Sequence, residues 1–406
     1  ELRVEELDLL DFKTDTPALA ADARLPDNLR LAGLCHAKCR GVLAVTNDDE
    51  ANLAIAIAVR LLNPGIPVIA RAEQKSVAAN MASFGTDHII NPYERFADSL
   101  ALAVAAPERF RLIELLTSLP ETPLAEPHQP PHGHWILCGY GRFGHAVAER
   151  LRNTGIRLTI IDPTAGDADH DIIGDGTEAS TLRQAGISEA RGIVAGSNND
   201  INNLSIAVTA HELNPELFVV ARQNQAANNA LFAAYGADFT VLPSRVIAQE
   251  CIALLTAPLL ARFLDRVQQL NETQCRQLVE RLQAACAGLT PVVWDNRLNA
   301  AEAPACWQAL MHGRTIELGS LLADAADRQR RLPVVPLLVE RGTDYLLLPA
   351  DDFTLQAGDQ LLFASPLAAQ RELELTLRNA NELDYVLTGN DHSGSLLGKL
   401  LAGRTA

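Results

Sequence analysis

The sequence predicts an α/β protein with two doubly wound parallel sheets, the first truncated at its N-terminus, and a small α+β lobe behind them. Three observations predict this class. A long segment occurs twice, a glycine-rich turn joins an apolar run to a helical pattern, and apolar runs alternate with amphipathic stretches. The chain has 406 residues, of which 48% are hydrophobic and 21% charged. Such a chain is expected to form two or three globular domains.

The repeat is the strongest of these signals. Residues 11–118 recur as residues 162–269, an offset of 151 positions over most of their length. Matching dipeptides are Asn-Leu, Asn-Pro and Ala-Arg, at 52–53 and 203–204, at 63–64 and 214–215, and at 70–71 and 221–222. The two copies are therefore predicted to fold alike.

The first copy begins at its second strand. Strands are predicted near 5–11, 41–45, 66–70 and 87–91, and helices near 26–33, 49–62, 74–84 and 94–117. No first strand, glycine turn or first helix precedes them, although Asp11 and Asp22 stand at the matching places. A parallel sheet without its central strand would expose apolar faces. We therefore expect the missing parts to lie upstream of Glu1, and we expect this pocket alone not to close on phosphates.

The second copy carries the stretch that the first lacks. The apolar run Trp135–Cys138 leads into a G-x-G-x-x-G turn, a helical pattern follows, and the next apolar run ends in Asp162. The turn consists of Gly139, Tyr140, Gly141, Arg142, Phe143 and Gly144. Strand, glycine turn, helix, strand and acid within about 30 residues are typical of a Rossmann-like dinucleotide-binding unit. Further strands are predicted near 192–195, 217–221 and 239–242.

The glycine turn predicts a phosphate site. Gly139 permits the tight turn, Gly141 lets a phosphate approach the backbone, and Gly144 lets the helix pack closely on the sheet. The helix then directs free N–H groups, and roughly half a positive charge, toward the phosphates. We expect Arg142 to add a direct phosphate contact.

Acidic residues after the neighbouring strands predict a sugar site. Asp162 is placed to accept hydrogen bonds from ribose hydroxyls and would repel a 2′-phosphate, which favours NAD(H) or an adenine nucleotide (ADP, ATP or AMP) over NADP(H). The alternative is that Asp162 is a plain turn residue. Asp175, Gly176 and Thr177 end the third strand and are expected to reach the adenine or its ribose.

The remaining segments have weaker signals. Five prolines between Pro120 and Gly133 indicate a linker. The predicted units are residues 1–118, a linker at 119–133, residues 134–257, helices at 258–289, a lobe at 290–366 and a tail at 367–406. In the lobe, β-type runs are predicted at 333–338, 345–348 and 360–363.

Charge and composition exclude some functions. A net charge of −16 argues against nucleic-acid binding, which needs a basic face. Cys35, His36 and Cys39 offer metal ligands, but no second cluster follows, so a loop with incidental thiols is favoured. The acidic turn Asp351–Asp352 is a conceivable divalent-cation site, such as for calcium, although paired turn acids are usually just solvated. No G-x-S-x-G, H-E-x-x-H or Walker motif occurs, so we expect nucleotide binding without catalysis.

These residues resemble a known family, the RCK domains (also called Trk-N or KTN domains) of prokaryotic potassium channels and transporters. The resemblance lies in the glycine motif, in residues 174–177, in 197–200 with Asn203, and in Ala221-Arg222. The first copy repeats it with 46–49, Asn52 and Arg71, and the third unit resembles the C-terminal lobe of the family around 334–339 and 355–359.

The resemblance implies a cytosolic, ligand-sensing gating module on the cytoplasmic face of the bacterial inner membrane. It adds Ser197, Asn198 and Arg222 to the expected ligand contacts. It also implies that residues 94–118 and 244–268 pair copies of the chain, so that four chains form an eight-domain ring beneath a potassium pore.

One departure from the family bears on the partner. A peripheral Trk subunit alternates Rossmann lobe and C-terminal lobe twice, whereas here the first Rossmann unit runs into a linker and the second Rossmann unit. This order favours a channel pore fused upstream. The alternatives are a peripheral regulatory subunit of a potassium transporter or antiporter, and a soluble NAD-dependent dehydrogenase.

Overall fold

A computed structural model describes residues 18–123, 129–164 and 171–390 of the chain. The predicted strand at 5–11, Asp11 and the end of the predicted tail lie outside the described residues. Two compact units divide the chain. One comprises residues 1–105 with 128–251, and the other comprises residues 106–127 with 252–406. None of the described helices is long and apolar enough to cross a bilayer.

The first unit contains two parallel sheets. Its strands are β1 (Val42–Ala44), β2 (Val68–Arg71), β3 (His88–Ile90), β4 (His134–Cys138), β5 (Arg157–Asp162), β6 (Ile172–Ile173), β7 (Gly192–Ala195), β8 (Phe218–Arg222) and β9 (Phe239–Val241). One sheet has the order β6-β5-β4-β7-β8-β9 and the other has the order β1-β2-β3. The six-stranded order is that of a Rossmann fold, with its topological switch between β4 and β7. The predicted fold class is therefore confirmed.

Helices cover these sheets. They are α1 (Pro26–Leu31), α2 (Asp49–Leu62), α3 (Lys75–Ser83), α4 (Pro92–Ala105), α6 (Arg142–Arg152), α7 (Ala179–Gln184), α8 (Asp200–Leu213), α9 (Asn229–Tyr235) and α10 (Pro243–Thr256); α5 (Pro107–Thr117) belongs to the second unit. The central strand β4 is fully buried, with side chains facing both layers. Trp135 and Leu137 pack with Phe96 of α4 and Phe143 of α6. One helix of the first copy thus completes the core of the second.

The repeat is visible in matched hydrogen bonds. Asn52 accepts the Thr46 N–H at 2.9 Å and donates to the Arg71 carbonyl at 3.0 Å. Asn203 likewise accepts the Ser197 N–H at 2.8 Å and donates to the Arg222 carbonyl at 2.7 Å. Both asparagines are fully buried. Each one ties the carboxyl ends of two neighbouring strands together.

Asn203→Ala is expected to destabilise the first unit by about 2 kcal/mol, because it leaves a buried N–H and a buried carbonyl without their partner. The free energy of unfolding in urea measures this. Asn202→Ala, at an exposed position of the same helix, is the control and should change it by less than about 0.5 kcal/mol. Equal losses in both variants would contradict this role of Asn203.

The second unit is an antiparallel sheet between two helical layers. It contains β10 (Val292–Arg297), β11 (Val335–Arg341), β12 (Asp344–Leu347), β13 (Gln360–Ser365), α5, α11 (Pro258–Arg266), α12 (Glu272–Ala285), α13 (Pro304–Met311), α14 (Leu318–Leu321), α15 (Leu367–Arg378) and α16 (Ala380–Thr388). The strand order is β10-β13-β11-β12. The three predicted β-type runs are confirmed as β11, β12 and β13, whereas β10 was not predicted.

The segment between the two sheet regions packs within this second unit. Glu108 of α5 pairs with Arg276 of α12 at 2.9 Å. Farther along, in the predicted linker, the Thr122 N–H donates to the Thr290 hydroxyl at 3.0 Å and the Thr290 N–H donates to the Thr122 carbonyl at 2.9 Å. Part of this proline-rich stretch is therefore held by the C-terminal lobe.

The prediction of two long continuous helices is wrong, because each of them is broken before a proline. The helix predicted at 94–117 is two helices, since α4 ends at Ala105 and α5 begins at Pro107. The helix implied at 244–268 is broken in the same way between α10 and α11. Ala106 and Ala257 have φ of −148° and −144°, because the residue before a proline avoids the helical region.

Candidate nucleotide-binding site

The three glycines of the turn after β4 have different structural roles. Gly139 has φ +96°, a left-handed conformation that favours glycine. A Cβ at Gly144 would lie 2.0 Å from the Gly139 carbonyl oxygen, so only glycine lets α6 approach the strand this closely. Around Gly141, no heavy atom of the described residues other than its two chain neighbours lies within 4 Å of a Cβ position. Two of the glycines are thus needed by the fold, and Gly141 faces open space.

The N-terminus of α6 presents hydrogen-bond donors beside that space. The N-cap residue of α6 is Gly141, which has no side chain that could cap the helix. The first N–H groups of a helix, here from Arg142 to Gly144, have no intrahelical partner. Together with the helix dipole they form an arrangement suited to a phosphate.

Asp162 lies directly beside the turn. Its Oδ2 accepts the Tyr140 N–H at 2.7 Å, and its Oδ1 accepts the Thr164 N–H at 2.8 Å. The half-buried carboxylate therefore holds the start of the glycine turn. A carboxylate at the end of the second strand of such a sheet is the group that accepts hydrogen bonds from ribose hydroxyls in dinucleotide-binding folds.

The Asp-Gly-Thr segment packs beneath the same edge of the sheet. Asp175 accepts the Thr177 N–H at 2.9 Å, which closes a local turn. A Cβ at Gly176 would lie 2.7 Å from the Sγ of Cys138, so this glycine is needed for packing. Burial raises the pKa of the Cys138 thiol to about 12, which keeps it protonated and unreactive.

Arg222 lies on the other side of the turn, but its guanidinium is engaged within the protein. Nη1 donates to Asn198 Oδ1 at 2.8 Å and Nη2 donates to the Tyr93 hydroxyl at 3.0 Å. The guanidinium carbon stands 4.9 Å from the Tyr93 ring centroid and 5.2 Å from that of Phe143. Burial lowers the pKa of Arg222. Ser197, whose N–H is bonded to Asn203, lies nearby. Of these three predicted contacts, Arg222 joins the second copy to Tyr93 of the first, whereas Asn198 and Ser197 bond within the second copy.

The first copy supplies part of the site, which the sequence did not predict. A cleft of about 470 Å³ passes Gly141 and Arg142 and is lined on its other side by Glu73, Lys75 and Tyr93. Arg142 Nη1 lies 2.9 Å from Glu73 Oε2. Only the repeat could have indicated these residues, because Arg71 and Glu73 occupy the strand end that matches Arg222.

The candidate metal ligands are engaged in other ways. The His36 ring accepts the Lys38 N–H at 3.1 Å, and the Asp351 carboxylate pairs with Arg331, whose hydrogen bond lowers the Asp351 pKa. Within the described parts of the chain, no group of three or more His, Cys, Asp or Glu side chains could hold a metal ion. Asp359, from the turn near the end of the lobe, is buried and pairs with Arg341 at 2.8 Å.

Comparison with known proteins supports these observations. The TrkA-N domain model matches residues 2–92 and 135–243. Potassium channel protein 1 of Methanocaldococcus jannaschii is 30% identical over 150 residues, which are 35% of this chain and 45% of that protein. The Trk system potassium uptake protein TrkA homolog of Methanothermobacter thermautotrophicus is 30% identical over 31% of this chain and 62% of its own length. The matches therefore span only part of each relative.

Among solved structures, the GsuK RCK domain aligns over 93% of this chain and 88% of its own, with 18% identity and a TM-score of 0.49. The two segments matched by the TrkA-N domain model overlap the two copies of the repeat, and the second segment contains the glycine turn and Asp162. This chain therefore carries two TrkA-N domains, at residues 2–92 and 135–243.

Proposed function

We propose that this chain is a ligand-sensing regulator of potassium transport, and that its second TrkA-N domain binds NAD(H) or an adenine nucleotide. The observation that carries the proposal is the open space at Gly141, which faces the free N–H groups of α6 and lies beside Asp162. This combination suits a phosphate and a ribose, because N–H donors bind the first and a carboxylate binds the second.

The relatives support the potassium part of the proposal. Their names describe a potassium channel, a potassium uptake protein and, at 26% identity, a glutathione-regulated potassium-efflux protein of Enterobacter. Potassium transport is common to all three. We infer that this chain acts on a membrane pore or transporter at the cytoplasmic face, assembled with further copies of itself through α4, α5, α10 and α11.

The ligand is proposed to act as a signal and to be released without chemical change. A ligand shifts a conformational equilibrium only through its different affinities for the two states, and each tenfold difference contributes about 1.4 kcal/mol. Several equivalent sites in one assembly would add their contributions. Recovery of the nucleotide unaltered after incubation supports this, whereas turnover of a nicotinamide cofactor would favour a dehydrogenase.

Asp162→Asn is expected to weaken ADP binding about tenfold, because the amide keeps an oxygen for the Tyr140 N–H but loses the charge-assisted bonds to the ribose. Calorimetric titration with ADP and with NAD⁺ measures it. Asp98→Asn is the matched control, since Asp98 pairs with Arg150 away from the turn. No binding of either nucleotide by the unaltered protein would refute the proposed function.

A further inference from the structure

Glu73 belongs to the first domain, and its carboxylate lies beside Arg142 of the second domain, where the ligand phosphate is expected. Its carboxylate contacts Arg142, the first residue of α6, at 2.9 Å, and also pairs with Arg71 of its own domain. The Glu73 side chain is only 9% exposed, whereas Arg142 is 59% exposed. A nearly buried carboxylate of the first domain therefore forms an ion pair with the arginine at the glycine turn of the second domain.

The repeat separates this feature from the general plan of the domain. Position 73 corresponds to Asn224 in the second copy. The backbone N–H groups at the two positions make equivalent hydrogen bonds. The Glu73 N–H donates to the Asp49 carboxylate at 3.0 Å, and the Asn224 N–H donates to the Asp200 carboxylate at 2.6 Å. The side chains differ, because Asn224 turns to Ser197 and Asp200 of its own domain. The shared fold needs only the backbone here, so the carboxylate is particular to the first copy.

A phosphate brought to Gly141 would meet this carboxylate. The two anions repel each other at close range, and Arg142 would have to turn from one to the other. Glu73 can release Arg142 at moderate cost, because Arg71 remains as its partner and no buried charge is left unpaired. The exchange is therefore feasible in both directions.

We propose that Glu73 is an internal anion that competes with the ligand phosphate for Arg142, so that the first domain sets the nucleotide affinity of the second and senses its occupancy. This inference rests on the proposed function. Occupancy is transmitted because the contact between Glu73 and Arg142 joins the two domains and is lost when the phosphate binds. Binding and domain contact are coupled reciprocally, so whatever strengthens the contact weakens the affinity.

The test is calorimetric titration with ADP. Glu73→Gln keeps the size of the side chain and removes its charge, and it is expected to bind ADP about fivefold more tightly than the unaltered protein. Glu73→Asn, which introduces the residue of the second copy, should also bind more tightly. Glu149→Gln is the control, because Glu149 lines the same cleft but pairs with Lys75 and Arg150. It should change the affinity by less than about twofold.

Two further variants make the result decisive. In an Arg142→Gln background the gain from Glu73→Gln should shrink to less than about twofold, because no arginine remains to compete for. If Glu73→Gln alone is unstable, the Arg71→Gln/Glu73→Gln pair also removes the arginine that pairs with Glu73 and should show the same gain. ADP binding by the unaltered protein without any gain in these variants overturns the inference alone. No binding in any variant overturns the proposed function with it.

Discussion

Gly141→Val is expected to weaken ADP binding at least about 100-fold, a loss of about 2.7 kcal/mol, with no loss of stability. The backbone tolerates the change, since Gly141 has φ −75° and, apart from its two chain neighbours, no heavy atom in the described chain lies within 4 Å of its Cβ position. The valine side chain would project into the space through which a phosphate reaches the N–H groups of α6. Binding should be lost because the approach is blocked, while the fold stays intact.

Calorimetry with ADP measures the affinity, and thermal unfolding measures the stability. Gly65→Val is the matched control, since a Cβ at Gly65 also meets no described atom and its φ is not left-handed. That variant should bind ADP as the unaltered protein does. In native hosts, Gly141→Val should also abolish the response of potassium flux to the nucleotide. Unchanged ADP affinity in Gly141→Val would exclude this site.

Gly144→Ala is expected to destabilise the second domain by about 3 kcal/mol or more. The added Cβ would lie 2.0 Å from the Gly139 carbonyl oxygen and 3.0 Å from its carbon. Both atoms belong to the backbone, so α6 would have to move away from β4 and open the core around Phe143 and Val147. Intrinsic helix propensity alone predicts the opposite sign, a gain of about 1 kcal/mol from replacing glycine by alanine.

Urea unfolding and hydrogen exchange of the β4 amides measure this destabilisation. Gly141→Ala is the control within the same turn and should leave the free energy of unfolding within about 0.5 kcal/mol of its original value. A Gly144→Ala protein as stable as the control would show that the close approach of helix and strand is not needed.

The features readable from the sequence were those encoded locally. The strand Trp135–Cys138 and the glycine turn lie within ten residues, and their order alone indicates strand, turn and helix. The breaks at Pro107 and Pro258 were equally local and were available from the rule on residues before proline. The missed strand Val292–Arg297 contains Asp295, which accepts the Leu259 N–H at 3.1 Å. The aspartate in this strand is explained only by that tertiary contact.

The half of the site that comes from the first copy was not readable in this way. Glu73 and Tyr93 approach the glycine turn only because α4 packs against α6. Arg222 stays a predicted ligand contact, which the family resemblance implied. Its burial against Tyr93 and Phe143, however, depends on how the two copies associate. A repeat predicts that two units resemble each other, and it does not predict the faces through which they meet.

The central claim is that the turn at 139–144 holds the phosphates of a nucleotide, with Asp162 at its ribose. A crystal structure of the chain grown with excess ADP tests it most directly. We expect the diphosphate against the N–H groups of Arg142 to Gly144, the ribose hydroxyls on Asp162, and Arg142 released from Glu73. ADP bound elsewhere, or a turn that stays empty at saturating ADP, would contradict the account.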